Sequence, residues 1–437
     1  MAQTERLTGR RARALGASIV LLELAASVST FVAQTLLPVI VSSFRVTSGV
    51  GVLVSGATVG LFVALPSAVR LLGLLGSRST LLLGMLATLV GGVVSATADG
   101  VWFFAVGRFI AGFAGGLLGV FGVSAAVKHL DDDTRKVVIA LSSAMWLLPG
   151  LVGPAIIVGL EHLIGWRWTL LTPIPIVLGA RALIVRDVPP SGPVPGRRPV
   201  VRTLLVPVGV VGFLLAGTNV VGWALLLVAA FGFVALVPAG TVTMRRGAPA
   251  GLLSLTTFAV GYFGAGALIT LLFTGAYGAS LAEAGIALGV ASVGWAVASL
   301  VLTRVERTGR SLSAAAALLV SAGCIASVGL LGAVGAPFLL GAVLWAVAGV
   351  GVGLFYPTVY LRATTPSGSL SEEQVATAAI TAEAFGGLVG GAVGGVLVSG
   401  SNVTPARFAE AYGLFAAALA VAALAAARSS TGAGPAP

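Results

Sequence analysis

The sequence is poor in charged residues, and it has a single cysteine and two histidines. Only 9% of its 437 residues are Asp, Glu, Lys or Arg, whereas soluble domains carry about 25%. So few charges cannot cover a water-facing surface, which excludes an ordinary soluble domain. One cysteine, Cys324, excludes a disulfide framework. His129 and His162 have no neighbours with metal-ligand spacing, so we expect no metal site and no cofactor.

The formal net charge is +11, and the basic residues form short clusters between long apolar runs. This arrangement indicates membrane orientation rather than nucleic-acid binding, so we expect membrane lipid around the chain and no nucleic-acid partner. The sequence also lacks a nucleotide-binding loop, a nucleophile elbow and a metal cluster. The sequence therefore carries no signature of nucleotide-driven work or of hydrolytic catalysis.

Apolar runs of about 20 residues recur from Gly16 to Ala427, each long enough to cross a bilayer core of roughly 30 Å. Nothing alternates as the strands of a membrane barrel do, so the runs predict helices. The first run extends to about Val41, too far for a signal peptide with a core of about 7–15 residues. We predict an all-α polytopic membrane protein with fourteen spans: 16–41, 50–72, 80–97, 101–127, 138–160, 168–186, 203–218, 221–240, 252–274, 284–303, 313–333, 337–360, 376–399 and 408–427.

The distribution of Lys and Arg supports this count. With the N-terminus in the cytoplasm, fourteen spans place 21 of the 25 Lys and Arg residues inside and only Arg45, Arg167 and Arg407 outside, while Arg108 lies within a span. Merging the short seventh and eighth spans would move the later clusters outside and remove the asymmetry that membrane proteins show. The sequence thus predicts a multi-pass protein of the cell (inner) membrane with both termini cytoplasmic.

Two segments recur at one offset. Ala105–Leu118 is similar to Ala342–Phe355, and Pro149–Ala155 to Gly386–Ala392, both 237 residues apart. Repeated halves are typical of transporters, with the substrate bound near the membrane midplane. We predict two six-helix halves, residues 1–186 and 241–437, a cytoplasmic Pro-rich linker over 187–202 and two inserted transmembrane helices over 203–240.

Several short motifs occur in order along the chain, and one of them is present in both halves. Span four has Arg108 followed by Gly112 and Gly116, and Trp166, Arg167 and Trp168 precede span six. A cytoplasmic glycine-rich loop motif is present in two copies, the first with Gly73 and Arg78 and the second with Glu306, Arg307, Gly309 and Arg310. Span five carries an antiporter motif, which consists of Gly150, Gly153 and Pro154. With the repeat and the inserted pair, these features resemble the fourteen-span drug:proton antiporters of the major facilitator superfamily.

The resemblance implies the major facilitator fold and proton-coupled efflux of hydrophobic or amphipathic small molecules by alternating access. It implies a monomer without enzymatic activity, in which the cytoplasmic loops tie neighbouring helices together through ion pairs. One departure leaves open whether protons, another ion or no ion drives the transport. The acidic residue that the family carries in its first span corresponds here to Ser29, and Ser77 replaces the aspartate of the first loop motif.

Three alternatives to drug efflux stay open at this point. The protein could export a lipid or a natural product, or it could be a membrane sensor or scaffold that binds a ligand without transport. A membrane-embedded lipid enzyme is less well supported, because the loops are too short and too poor in polar residues for a catalytic cluster.

Three charged residues lie deep within predicted spans, where such groups are rare and usually functional: Glu23, Arg108 and Glu383. We predict that they carry proton coupling and transport, although each could instead serve a structural ion pair or packing. Arg108 cannot lose its charge, so it needs a carboxylate, a carbonyl or water as its partner. Glu383 shares a helix face with Gly386 and Gly390, which is typical of close helix packing.

Glu23 begins a polar stripe on span one. Ser27, Thr30 and Gln34 follow it at helical spacing, and all four fall within an arc of roughly 60°. We predict that this stripe faces a watery cavity. Apolar aromatic residues are candidates for the rest of the substrate cavity, although packing is their commoner role: Trp146, Tyr262, Trp345 and Tyr356.

Overall fold

A computed structural model describes residues 9–184, 200–307, 313–366, 370–400 and 404–430. Within these ranges the regular structure is entirely helical. The helices are α1 (Gly9–Ser43), α2 (Val50–Ala96), α3 (Val101–His129), α4 (Asp132–Thr169), α5 (Pro173–Ile184), α6 (Val200–Ala216), α7 (Val220–Val234), α8 (Ala248–Phe258), a π-helical turn (Ala259–Phe263), α9 (Gly264–Gly275), α10 (Leu281–Arg307), α11 (Ala314–Ala333), α12 (Phe338–Thr364), α13 (Glu372–Leu397) and α14 (Pro405–Ser429).

Each of the fourteen predicted spans overlaps a helix, and α8, the π-helical turn and α9 form one continuous segment. The sixth span is interrupted at residues 170–172, and the eighth is shorter than predicted because α7 ends at Val234. Among the described residues, ten helices are long and apolar enough to cross a membrane, and a bent pair at Val50–Leu65 and Arg70–Gly76 would make eleven. The remaining helices α5, α6 and α7 have 12, 17 and 15 residues, or about 18–26 Å at 1.5 Å per residue. They are shorter than a bilayer core of roughly 30 Å. The helical character is confirmed, and the count of fourteen stays a prediction.

The second and third predicted spans are joined by a kink rather than by the glycine-rich loop expected at residues 73–78. Gly76 has φ 75° and ψ 170°, a conformation that favours glycine, and helical backbone continues on both sides of it. Gly73 and Arg78 therefore flank a sharp bend within α2, with Arg78 exposed. In the second copy, Glu306 and Arg307 end α10, whereas Gly309 and Arg310 lie outside the described residues.

The chain forms two compact units, residues 1–44 with 56–200 and residues 45–55 with 201–437. In the first unit α1 packs against α3, α4 and α5. Small residues let α2 and α3 approach closely. A Cβ on Gly112 would collide with the backbone carbonyl of Ala57, and one on Gly60 with the carbonyl of Phe109. Close backbone contact of this kind stabilises the association of helices in lipid, where the hydrophobic effect does not drive them together.

The second unit has the same mode of packing. α11 packs against α14, and α12 lies against both α10 and α11. The glycine face of α13 packs on α8, the π-helical turn and α9: a Cβ on Gly386 would strike the carbonyl of Thr256, and one on Gly390 the carbonyl of Val260. Glu383 is therefore carried by a helix that is locked against the π-helical turn by backbone contact.

The inserted pair forms a helical hairpin in the second unit. Gly217 has φ 73° and ends α6, and the side chain of Asn219 accepts a hydrogen bond of 2.8 Å from the backbone N–H of Gly222 at the start of α7. The rings of Phe213 and Trp223 lie 5.4 Å apart across the hairpin. The chain thus breaks into two helices at the residues that the sequence indicated, because glycine permits the turn and asparagine caps the next helix.

Candidate functional site

The polar stripe of α1 faces α4. The indole Nε1 of Trp146 donates a hydrogen bond of 3.3 Å to Oε2 of Glu23. One helical turn along, the hydroxyl of Ser27 donates to the backbone carbonyl of Met145 at 2.7 Å, and this serine is fully buried. Helix α4 thus supplies two consecutive partners, so the carboxylate of Glu23 is held against an aromatic N–H within the first unit.

The other two residues of the stripe are Thr30 and Gln34. The hydroxyl of Thr30 donates to the carbonyl of Ala26 at 3.0 Å, a bond within its own helix. Gln34 is partly buried. The structure therefore brings Glu23, Ser27 and Trp146 together, while whether the stripe lines a watery cavity stays a prediction.

Arg108 lies on α3 and lines a small cavity of the first unit. Within the described part of the chain, its guanidinium has no hydrogen-bond or ion-pair partner in the protein. The helices that enclose this cavity are α1, α2, α3 and the start of α5. The other lining residues are Ser29, Thr88, Gly92, Ser95, Ala111, Leu170, Pro173 and Ile174.

In the second unit, Glu383 on α13 lies close to the hydroxyl of Tyr356 on α12. Among the described residues, its Oε1 atom is buried without a hydrogen-bond partner, and so is Nε1 of Trp345, also on α12. Glu23 thus has an aromatic hydrogen-bond donor in Trp146, and Glu383 has a tyrosine hydroxyl beside it. Such a carboxylate can exchange a proton or bind a cation, because a single neutral donor leaves it incompletely compensated.

A row of aromatic rings leads towards Glu383. The ring of Trp345 stacks on Tyr262 at 5.3 Å, Tyr262 lies 5.6 Å from Trp295, and Trp295 lies 5.2 Å from Tyr356. The three aromatic residues predicted for this half thus share one cluster with Glu383. Phe258, 5.8 Å from Tyr356, also belongs to it, although sequence reasoning did not single it out. Its position four residues before Tyr262, on the same helical face, was the available signal.

The antiporter motif lies within α4. Gly150, Gly153 and Pro154 are buried, and the helix continues through Pro149 and Pro154 without a break at either. A Cβ on Gly153 would meet the Cβ of Pro149 at 3.5 Å, an ordinary contact. Among the described residues, a Cβ on Gly153 would therefore meet only side chains of its own helix. The motif forms part of α4, the helix that also carries Trp146.

The Trp-Arg-Trp motif forms a separate aromatic cluster. The guanidinium of Arg167 lies 4.3 Å from the ring centroid of Trp166 and donates a hydrogen bond of 2.9 Å to the carbonyl of Ala98. Phe44 and Phe104 pack edge-on around the same tryptophan at 5.6 and 6.3 Å. This arginine therefore ties the end of α4 to the loop before α3. A search of the described residues finds no group of His, Cys, Asp and Glu that could hold a metal ion.

Comparisons with known proteins agree with this architecture. The family model of the Major Facilitator Superfamily matches residues 19–277. A probable multidrug-efflux transporter of Mycobacterium tuberculosis is 30% identical over 400 residues, which cover 80% of this chain and 80% of that protein. An MFS-type transporter from the acurin A biosynthesis cluster of Aspergillus aculeatus is 28% identical over 116 residues, 26% of this chain and 21% of its own length.

Solved structures share the fold at low identity. A D-xylose-proton symporter superimposes with a TM-score of 0.65 and 15% identity, covering 94% of this chain and 96% of the symporter. A bacterial homologue of the human lysosomal transporter Spinster gives a TM-score of 0.62 and 14% identity over 97% of each chain. The family model matches more than half of the chain, and the relative from Mycobacterium tuberculosis is 30% identical over 80% of it. These two matches assign the family. The chain belongs to the Major Facilitator Superfamily and is a multi-pass membrane transporter of small molecules, not an enzyme.

Proposed function

We propose that the protein exports hydrophobic or amphipathic small molecules in exchange for protons, by alternating access. The observation that carries this proposal is the hydrogen bond between Glu23 and Trp146, which holds a carboxylate between two helices of the first unit. A group that exchanges protons needs a setting of this kind, in which a neighbouring helix contacts the carboxylate and other polar residues of its own helix lie beside it. The relative from Mycobacterium tuberculosis, whose name describes probable multidrug efflux, supports the choice of substrate.

The residues proposed for this activity form two sets. Glu23, Arg108 and Glu383 carry proton coupling and transport. The residues proposed to contact the substrate are, within the first unit, Ser27, Thr30, Gln34 and Trp146 and, within the second, Tyr262, Trp345 and Tyr356. Tyr262, Trp345 and Tyr356 are joined by ring contacts through Trp295, which supports a continuous apolar surface there.

Transport in inverted membrane vesicles tests the proposal. Vesicles with an acidic interior, loaded by an imposed pH gradient, are expected to accumulate a hydrophobic fluorescent dye, and nigericin, which collapses the gradient, should release it. Vesicles from cells without the protein are the control. Equal dye uptake in both would contradict transport, and protein-dependent uptake that ignores the gradient would replace antiport with facilitated diffusion.

A second candidate is export of a natural product. The partial similarity to the transporter of the acurin A biosynthesis cluster favours it. The same vesicles distinguish the two, because a natural-product exporter should leave a panel of unrelated dyes untouched and respond to one chemical class.

We also propose the fourteen-span arrangement of the antiporter subfamily, as a monomer in the inner membrane with cytoplasmic termini. The two halves are residues 1–186 and 241–437, with the linker 187–202 and the inserted helices 203–240 between them. Support comes from the 21 cytoplasmic and three external basic residues that this topology gives. The hairpin break at Gly217 and Asn219 supports two inserted helices rather than one.

This topology places Arg246, in the turn before α8, on the cytoplasmic side. In a Cys324→Ala background, Arg246→Cys is expected to resist a membrane-impermeant maleimide added to intact cells and to react after permeabilisation. Arg45→Cys, on the predicted outer side, is the matched control and should react in intact cells. Efficient labelling of position 246 from outside would refute the fourteen-span count.

A further inference from the structure

Arg108 is a permanent charge within α3, and the described residues give it no counter-ion. A guanidinium in a membrane-spanning segment costs several kcal/mol unless it is paired or hydrated. Helix α3 carries no acidic residue, and Asp99, nine residues before Arg108, lies in the link between α2 and α3. Neither this carboxylate nor any other described one forms an ion pair with Arg108.

Glu23 is not placed to serve as that counter-ion. The residue of α1 that lines the cavity beside Arg108 is Ser29, six positions further along, or about 9 Å along the helix axis. The carboxylate of Glu23 instead accepts the hydrogen bond from Trp146 on α4. Glu23 and Arg108, the two charged residues deep within predicted spans of the first unit, therefore do not form an ion pair with each other.

The cavity offers two free donors. Ser29 makes no hydrogen bond to the protein among the described residues, so its hydroxyl, like the guanidinium of Arg108, can donate to a ligand. The hydroxyls of Thr88 and Ser95 donate to the carbonyls of Gly84 and Gly91 at 2.9 and 2.8 Å. The other lining atoms are mostly apolar, which strengthens the attraction between a charge and an anion.

We propose that this cavity binds a compact monovalent anion, of which chloride is the common example, between Arg108 and Ser29. The cavity has a volume of about 20 Å³, which is room for one atom of chloride size and too little to enclose an anion as large as gluconate. The bound anion neutralises Arg108 without an acidic residue. Such a site goes beyond proton-coupled efflux and would exist whatever the transported molecule is.

Thermal unfolding of the purified protein in detergent tests the proposal without a transport substrate. Exchanging sodium gluconate for sodium chloride is expected to raise the melting temperature by about 2 °C at tenfold saturation, since the ion binds only the folded state. Ser29→Asp should lose this response, because its tethered carboxylate takes the place of the anion. Ser29→Ala, which leaves the cavity open but removes one of its two donors, should weaken the response without abolishing it.

The controls separate the competing explanations. Equal melting temperatures in the two salts for the wild type would overturn the proposal, as would an unchanged chloride response in Ser29→Asp. An undiminished response in Ser29→Ala would overturn the placement of the anion at Ser29, because the hydroxyl would then contribute nothing to binding. Stabilisation by sodium benzoate but not by chloride would assign Arg108 to a carboxylate of the transported molecule, against an inorganic ion. None of these readouts depends on proton coupling.

Discussion

Arg108→Ala is expected to lower transport about 100-fold, close to the background of vesicles without the protein, while the variant still inserts and folds. Keeping a guanidinium within a membrane span costs roughly 2.5–3.5 kcal/mol. If transport uses that charge to bind an ion or a substrate group, its loss removes a charge-assisted interaction of about 1.5–3 kcal/mol, and each 1.36 kcal/mol is about tenfold in rate. The location of Arg108, on a cavity with no protein counter-ion, supports a role that a packing residue would not need.

Matched variants make this result interpretable. Val106→Ala, two residues away on an exposed part of α3, should keep full transport. Arg108→Lys keeps the charge but not the planar set of donors, so it should retain only part of the activity. The measurements are dye accumulation in inverted vesicles and the elution profile of the protein in detergent. A fully active, well-expressed Arg108→Ala would return Arg108 to a structural role.

The helices could be predicted because the length of an apolar run is a local property of the chain. Runs of about 20 residues must be helical in lipid, where every backbone group needs an internal partner. Whether two runs are joined by a loop or a kink depends on packing and on the conformation of one residue. Glycines occur at positions 73 and 76, but only the structure shows that Gly76 alone leaves the helical conformation and that helix resumes directly after it.

Periodicity predicted the polar face of α1 but not what lies opposite it. Helical spacing puts Glu23 and Ser27 on one side, whereas their partners on α4 are more than 100 residues away in the chain. The π-helical turn at Ala259–Phe263 has no local signal either, because it depends on how α8 and α9 pack against α13. The cluster of Tyr262, Trp345 and Tyr356 was therefore predicted residue by residue and assembled only by the structure.

The repeat shows that the two halves hold their acids differently. At the offset of 237, Glu383 corresponds to Trp146, which is the hydrogen-bond donor to Glu23. Glu23 in turn corresponds to Val260, in the π-helical turn packed against α13. The carboxylate thus lies on α1 in the first unit and on α13, the counterpart of α4, in the second. Equivalent helices meet in both halves, but their acids are not equivalent, so one of them can couple protons while the other does not.

We expect Glu23→Gln to abolish accumulation driven by a pH gradient while preserving substrate binding. A coupling carboxylate must take up a proton on one side of the membrane and release it on the other, and glutamine imitates the protonated form permanently. With one proton exchanged for each neutral molecule, a gradient of one pH unit supports about tenfold accumulation. In the variant this ratio should fall to about one, the value for facilitated diffusion. Glu23→Asp keeps the carboxylate one methylene shorter and should retain partial accumulation.

Accumulation ratios, dye binding and the pH dependence of exchange in reconstituted vesicles check this prediction. Glu161→Gln, at the far end of α4 and outside the predicted span, is the matched control and should leave all three unchanged. If Glu23→Gln still accumulates dye against its gradient with the pH dependence of the wild type, the coupling site lies elsewhere. Glu383→Gln then becomes the decisive variant, because Glu383 has a buried carboxylate oxygen without a hydrogen-bond partner and an aromatic donor, Tyr356, beside it. If both glutamine variants accumulate dye normally, proton exchange through a membrane-embedded acid fails as the mechanism.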